Sequence, residues 1–322
     1  MTGWRPAATP ELLRLRAETL AAIRRFFTGR GVLEVETPLL APATVTDVHI
    51  DSIPAQVELA GRAQSRYLQT SPEYAMKRLL AAGAGACYQI CKSFRQGDAG
   101  KLHNPEFTLL EWYRPGFGLE QLMDEVESLL RGVMPDLMAS QRIPRLSYRE
   151  VFQRHLEIDP HRIEPEALRR LTRERLPVDT AELDATDCLQ LLLGQVIEPE
   201  LPKYCFVYEY PAAQSALAKI TPDREGEPVA RRFELFCNGM ELANGYDEET
   251  DGKILRERFE RDRERRAELG RPVPAIDEKL LAALDHGLPP CSGVALGVDR
   301  LLMLRSGAKS INEVLAFPVD CD

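Results

Sequence analysis

The chain has 322 residues, 44% of them hydrophobic, and a formal net charge of −9. That length and apolar content support a large buried core, and the acidic balance excludes a global positive field of the kind that gathers nucleic-acid backbones. Seven cysteines, at positions 87, 91, 188, 205, 237, 291 and 321, include no CxxC pair and no zinc-type spacing, so they read as reduced, mostly buried thiols.

The first residues, MTGWRPAATPELLRLRAETL, lack a signal-peptide apolar core, and no run approaches the roughly 18 apolar residues of a membrane span. The expected compartment is the cytosol, with no membrane partner. Thr9-Pro10-Glu11 starts a helix, a cap followed by proline in the first turn, with Leu12, Leu20, Ile23 and Phe27 as its apolar stripe and Gly29 and Gly31 at its end. GVLEVETPLL then alternates as a strand until Pro38 stops it. ACYQICKSF (86–94) reads as a strand, RQGDAGKLH as a polar loop and NPEFTLLEWY (104–113) as the returning strand, so a long antiparallel hairpin is expected.

From about 119 to 200 the period becomes helical, in LEQLMDEVESLL and PEALRRLTRERL, and these helices are expected only to cover the sheet. RRFELFCNGMELANGYDE follows, with Asn238-Gly239 as a strong hairpin signal. The charges of ILRERFERDRERRAEL, ended by Gly270, read as a solvated helix face. CSGVALGVDR (291–300) is a strand running into a helix. The economical reading is one α+β domain over residues 1–322, with a mostly antiparallel sheet.

Several positions are candidates for chemistry. On the return strand of the first hairpin, Glu111 and Tyr113 point to one face because side chains alternate with period two, and a carboxylate beside a phenol suits an ammonium group. Glu241 and Glu248 resemble hard oxygen ligands for Mg²⁺, yet their odd spacing puts them on opposite faces of a regular strand, so a bulge or turn at Asn244-Gly245 is required. Gly293 and Gly297 are either spacers in a buried strand or places where a ligand approaches the backbone. In the second case Arg300 supplies a planar cation for a base or a phosphate. Neither GxxxxGK[ST] nor GxGxxG occurs, so any ATP is not bound through a P-loop.

These pieces resemble, in order and wording, the catalytic domain of class II aminoacyl-tRNA synthetases, most closely the lysyl type. GVLEVETPLL is similar to the family's motif 1, FRQGDAGKLHNPEF to motif 2 and GVALGVDRL to motif 3, while TSPE and ELANGYDE resemble the lysine-site and metal-site segments. The resemblance runs from about residue 11 to 318. Only about 30 residues precede motif 1, where a lysyl enzyme carries an anticodon-binding domain. That architecture, with VLEVETPLLAPATVTD and HNPEFTLLEWYRP, is similar to the branch of the family that attaches (R)-β-lysine to a lysine side chain of elongation factor P.

The resemblance implies ATP and Mg²⁺ as cofactors, β-lysine as substrate, elongation factor P as acceptor, no tRNA, and a homodimer through motif 1. It implies that Arg95 and Arg300 are catalytic and grip the phosphates. ATP is implied to lie on Arg95, Gln96, Gly97, Asn104, Phe107, Glu241, Leu242, Gly297 and Arg300, with Phe107 and Arg300 on the two faces of the adenine. Glu241 and Glu248 are implied to hold Mg²⁺. Ser71, Glu73, Glu111, Tyr113, Glu248 and Ala295 are implied to bind the amino acid. Motif 2 usually reads Arg-x-Glu, whereas here it reads Arg95-Gln96-Gly97, a loss of one base contact worth about 1–2 kcal/mol. At Ala295 the lysyl family commonly has glycine, and the extra methyl is expected to favour a β-amino acid over an α-amino acid. A free-standing lysyl-type synthetase shares every adenylation residue and stands as the alternative, as does a non-catalytic amino-acid-binding paralogue.

Overall fold

The computed structural model describes residues 4–135 and 142–319. In chain order its elements are α1 (Pro10–Thr28), β1 (Leu33–Glu34), β2 (Leu40–Ala41), β3 (Pro54–Leu59), β4 (Arg62–Leu68), α2 (Glu73–Ala81), β5 (Cys87–Phe94), β6 (Glu106–Pro115) and α3 (Leu119–Val133). There follow β7 (Arg145–Ser147), α4 (Tyr148–Leu156), α5 (Pro165–Arg175), α6 (Ala185–Leu192), β8 (Tyr204–Pro211), β9 (Ile220–Pro222), β10 (Pro228–Cys237) and β11 (Met240–Asp247). The last are α7 (Gly252–Glu268), α8 (Glu278–Gly287), β12 (Cys291–Gly297), α9 (Val298–Ser306) and α10 (Ile311–Val314). The fold class is α+β, with strand pairs mostly antiparallel and helices around them. Two compact units emerge: the described residues of 1–117, 125–139 and 250–322, and those of 118–124 and 140–249.

In the first unit the strands run β1-β5-β6-β12. The expected hairpin is β5 against β6, from Cys87 opposite Tyr113 to Phe94 opposite Glu106. β12 joins the other edge of β6 with Ala295 opposite Glu111. Alternation then divides the sheet into two faces. The even-numbered face is closed by α1, whose cap Thr9 accepts from the Leu12 N–H and whose Phe27 stacks on Tyr88 at 4.5 Å and meets Trp112 edge-on at 5.3 Å. Ile23 and Phe27 are fully buried as the stripe requires, with Thr19 buried one turn before them. The odd-numbered face carries Cys87, Gln89 and Cys91, Tyr113, Glu111 and Leu109, and Gly293, Ala295 and Gly297.

The strand expected from GVLEVETPLL shrinks to Leu33–Glu34, paired parallel to β5. Its alternation put Leu33 with Val35 on one face, yet Leu33 is 54% exposed and Val32 is buried. At the sheet edge, beyond two paired residues, no element of this chain covers Leu33. The hairpin β3–β4, turned by Ala60-Gly61 with both φ positive, has Gly61 as its signal and belongs to a separate three-stranded sheet β2-β4-β3.

Helix α7 departs from a purely solvated face, because Arg258 and Arg266 are buried. Arg266 donates to the carbonyls of Asp47 (2.6 Å), Ile50 (3.2 Å) and Pro272 (2.6 Å) and to the Asp51 carboxylate (2.5 Å), and the Asp51 carbonyl in turn accepts the Gln96 N–H at 2.8 Å. One arginine therefore sews the loop before β3 to the loop after β5.

In the second unit β11, β10, β8 and β7 lie side by side, with β9 on β10. Helices α4 and α6 bury Tyr148, Phe152, Leu189 and Leu192 against Val207, Tyr210 and Phe236, which is the covering role expected of this stretch. Asn238-Gly239 makes the predicted two-residue turn, with φ of 53° and 68° and Cys237 opposite Met240. The six described cysteines are free thiols, five of them buried; Cys321 lies outside the described residues. No helix among the described residues is long and apolar enough to cross a membrane.

Candidate active site

The odd-numbered face of the first unit gathers most of the candidate residues. At one end α2 sets Ser71, Glu73 and Lys77 over β6. Ser71 Oγ accepts the Glu73 N–H at 3.0 Å and donates to Glu111 Oε2 at 2.8 Å. Tyr113 OH donates to Glu111 Oε1 at 2.6 Å, so the phenol and carboxylate meet as the period-two spacing requires. Lys77 Nζ donates to Glu73 Oε1 at 2.6 Å and is itself fully buried. Burial raises the Glu111 carboxyl to about 7, and the charge of Glu73 adds to the rise, while the Tyr113 and Ser71 hydrogen bonds and the Lys77 charge oppose it. Gln89 faces Glu111 from β5, buried. From β12, Ala295 stands opposite Glu111 and Gly293 opposite Tyr113. The Glu111 carboxylate is thus buried between Ala295 on β12 and the Gln89 amide on β5.

Four residues toward the start of β6, about 13 Å along an extended strand, lie Phe107 and the loop of residues 95–105. The guanidinium carbon of Arg95 sits 5.1 Å from the Phe107 ring centroid, and Arg95 Nε is buried without a hydrogen-bond partner. Asn104 is buried and doubly used, Nδ2 donating to the Glu106 carbonyl at 2.6 Å and Oδ1 accepting the Val319 N–H at 3.0 Å. It braces the hairpin. Gly97 has φ of +81° with open space beside it. The residue that breaks the Arg-x-Glu pattern thus sits where an L side chain is strained, so replacing it by glutamate would impose backbone strain besides restoring a base contact.

Arg300, in the first turn of α9, donates from Nε to the Leu102 carbonyl at 3.4 Å and lies with Nη2 2.8 Å from His103 Nε2. Its stem crosses Gly297, where an added methyl would touch Arg300 Cβ at 3.7 Å, an ordinary contact. Packing within the chain therefore does not require glycine at 297, which favours the second of the two readings of that position, approach of a ligand. Asp299, next to Arg300, accepts the Thr108 N–H at 2.6 Å and an Arg16 N–H at 2.5 Å, joining α9, β6 and α1.

In the second unit, Glu241 and Glu248 lie on and just beyond β11. The strand is bulged, though not at Asn244-Gly245. Leu235 opposes Ala243 while the next residue, Phe236, opposes Glu241, so Leu242 is the extra residue. One extra residue shifts the alternation by one and brings Glu241 into phase with Asn244, Tyr246 and Glu248. The bulge falls at Leu242 because Asn244 is held in regular register by its bonds to Arg232 (3.2 Å) and Glu234 (3.3 Å) on β10. Leu242 and Glu248 are buried. Among the described residues no group of three or more His, Cys, Asp or Glu side chains could hold a metal ion; two carboxylates in phase are a donor set that Mg²⁺, which keeps waters and substrate oxygens, accepts.

Lys77, Gln89 and Asp299 escaped the sequence reading. Lys77 had a signal, the Glu-to-Lys spacing of four at a helix start in SPEYAMK. Gln89 and Asp299 had none without the register of β5, β6 and β12.

The family described as tRNA synthetases class II (D, K and N) matches residues 2–321. A protein of Klebsiella pneumoniae subsp. pneumoniae named elongation factor P–(R)-β-lysine ligase is 50% identical over 98% of this chain and 98% of its own length. Proteins of the same name from Edwardsiella ictaluri and Erwinia tasmaniensis are 48% and 49% identical, each over 99% of this chain and 98% of their own.

Proposed function

This chain belongs to the class II tRNA synthetase family of the D, K and N type, and we propose that it activates (R)-β-lysine with ATP and transfers it to the ε-amino group of a lysine on elongation factor P. The observation that carries the reading is the single strand face holding an ammonium-type pocket, Ser71, Glu73, Glu111 and Tyr113, at one end and Arg95, Phe107 and Arg300 at the other. Near-full-length relatives of that name supply the identity of the amino acid and the acceptor.

In this reading Glu73 receives one amino group of β-lysine, and Glu111 with Tyr113 receives the terminal ammonium. Phe107 and Arg300 enclose the adenine, Arg95 grips the α-phosphate, and Arg300 reaches the γ-phosphate. Gln96 and Gly97 border the nucleotide, Asn104 holds their loop, and Gly297 gives the ligand its approach to the backbone. The family resemblance gives Glu241 and Glu248 the metal role, and gives Leu242 a part in nucleotide binding and Glu248 one in amino-acid binding as well; Mg²⁺, if held by the two carboxylates, would supply neutralisation of phosphate charge. The substrate carboxylate attacks the α-phosphorus in line with departing pyrophosphate, giving the adenylate, and the protein contributes orientation and charge rather than a nucleophile. The neutral ε-amine of the acceptor lysine then attacks the adenylate carbonyl, forming an amide and releasing AMP.

The methyl of Ala295, opposite Glu111, sits in the pocket and favours the β-amino acid. The whole chain serves as one catalytic domain, in a homodimer through residues 31–40, where Leu33, Leu39 and Leu40 stand exposed; sedimentation at micromolar concentration tests it. Pyrophosphate exchange into ATP tests activation. Exchange that depends on (R)-β-lysine, with α-lysine at least tenfold poorer in kcat/KM, supports the proposal, and exchange with neither amino acid contradicts it.

A further inference from the structure

Lys77 is fully buried, and its ammonium lies 2.6 Å from Glu73 Oε1. Taking an ammonium wholly out of water is costly unless it serves a partner. The charged and titratable groups around it define that service. On α2 are Glu73 and Tyr74; on β6, Glu111 and Tyr113; on β5, Cys87 and Cys91, whose thiols are pushed up by burial and by the Glu111 charge. Asp262 of α7, Asp277 at the start of α8 and Asp47 act on Tyr74 from outside the pocket. Ser71 links the Glu73 backbone N–H to the Glu111 carboxylate, the Glu73 charge acts on Glu111, and Lys77 is the cation that opposes it.

Glu111 is buried and the Glu73 charge pushes its carboxyl further up, so without an opposing cation it holds a proton more tightly. A proton held there competes with an incoming ammonium. We infer that Lys77 is a positioning residue of the amino-acid pocket, fixing one oxygen of Glu73 and offsetting its charge so that Glu111 gives up its proton more readily to receive a substrate ammonium group. This rests on the proposed amino-acid role of the pocket, although its electrostatic half does not depend on which amino acid binds. The opposite outcome is physically open, because a buried cation also repels an ammonium; if repulsion dominates, removing Lys77 improves binding.

Carboxyl ¹³C NMR of the full, substrate-free chain reads the Glu111 titration directly. In Lys77→Met, which keeps the stem and removes the charge, the midpoint is expected to rise by about one pH unit. In pyrophosphate exchange the amino-acid KM is expected to rise about tenfold at pH 7, with the KM for ATP within about twofold and the deficit shrinking toward pH 9. A merely structural role for Lys77 would not separate the two KM values or make the deficit pH-dependent. If Lys77→Met does not fold, Glu73→Gln/Lys77→Met, which removes both charges of the pair, is compared with Glu73→Gln, and the double variant is expected to titrate at Glu111 about one pH unit above the single. An unmoved midpoint in either comparison, or a lowered amino-acid KM in Lys77→Met, overturns the inference. A wild type that titrates as stated but does not exchange with β-lysine overturns the functional reading alone.

Discussion

At the Glu111 end of the odd-numbered face both carboxylate oxygens are already bonded, to Ser71 and Tyr113, whereas at the Arg95 end a guanidinium nitrogen is buried without a partner. The acidic end has its acceptors fixed on β6 by those bonds; the cationic end carries its charges on a loop, residues 95–105, and on the first turn of α9. The contrast follows from what each end is proposed to bind. An ammonium is small and must be chosen among near relatives, so its acceptors are fixed in advance. A triphosphate brings its own charge and metal, and is met by planar cations carried on a loop and a helix start.

Breaking the cationic end is expected to have the largest effect: Arg300→Ala or Arg95→Ala should lower kcat/KM for pyrophosphate exchange by about a thousandfold while amino-acid binding, read by calorimetry, stays within a few-fold. At the acidic end, Glu111→Gln should raise the amino-acid KM about a hundredfold, the scale of a lost charged hydrogen bond. The same variant sharpens the contrast through stability. Because the folded Glu111 carboxyl holds its proton up to about 7, against an ordinary value of 4.5, its contribution is fully present below that ordinary value and lost as pH rises through the folded one. Wild-type Tm should fall across that window, and Glu111→Gln should be the more stable protein at pH 8, by on the order of 1–3 kcal/mol.

Smaller changes probe each end more finely. Ala295→Gly should move the preference between β-lysine and α-lysine by about tenfold toward α-lysine, the scale of one methyl in a closed pocket, measured as the ratio of kcat/KM values; an unchanged ratio leaves Ala295 as packing. Gly97→Ala should cost about 1–2 kcal/mol of stability from its left-handed backbone and raise the KM for ATP only a few-fold.

The hairpin of β5 and β6 was legible because its two runs alternate and are separated by a polar loop, and alternation alone placed Glu111 beside Tyr113. The Asn238-Gly239 turn was legible because its residues tolerate positive φ. Alternation misled where pairing is short or irregular. It read Leu33 into a longer strand, although only two residues of β1 find a partner, and it put the bulge at Asn244-Gly245, where cross-strand bonds to Arg232 and Glu234 hold the register and push the extra residue to Leu242. Arg266 was invisible as a buried clamp because three of its partners, the Asp47 and Ile50 carbonyls and the Asp51 carboxylate, lie 215 or more residues away in the chain. Lys77 was readable as a helix pair with Glu73, but its meaning depends on Glu111 from another element.

The central claim concerns where the activated amino acid goes. Labelled (R)-β-lysine, ATP and Mg²⁺ given to the protein together with both elongation factor P and lysine tRNA separate the two destinations in one reaction. The account predicts label on a lysine side chain of the protein acceptor, with AMP released in step and none on the tRNA; label on the tRNA and not on elongation factor P would contradict it.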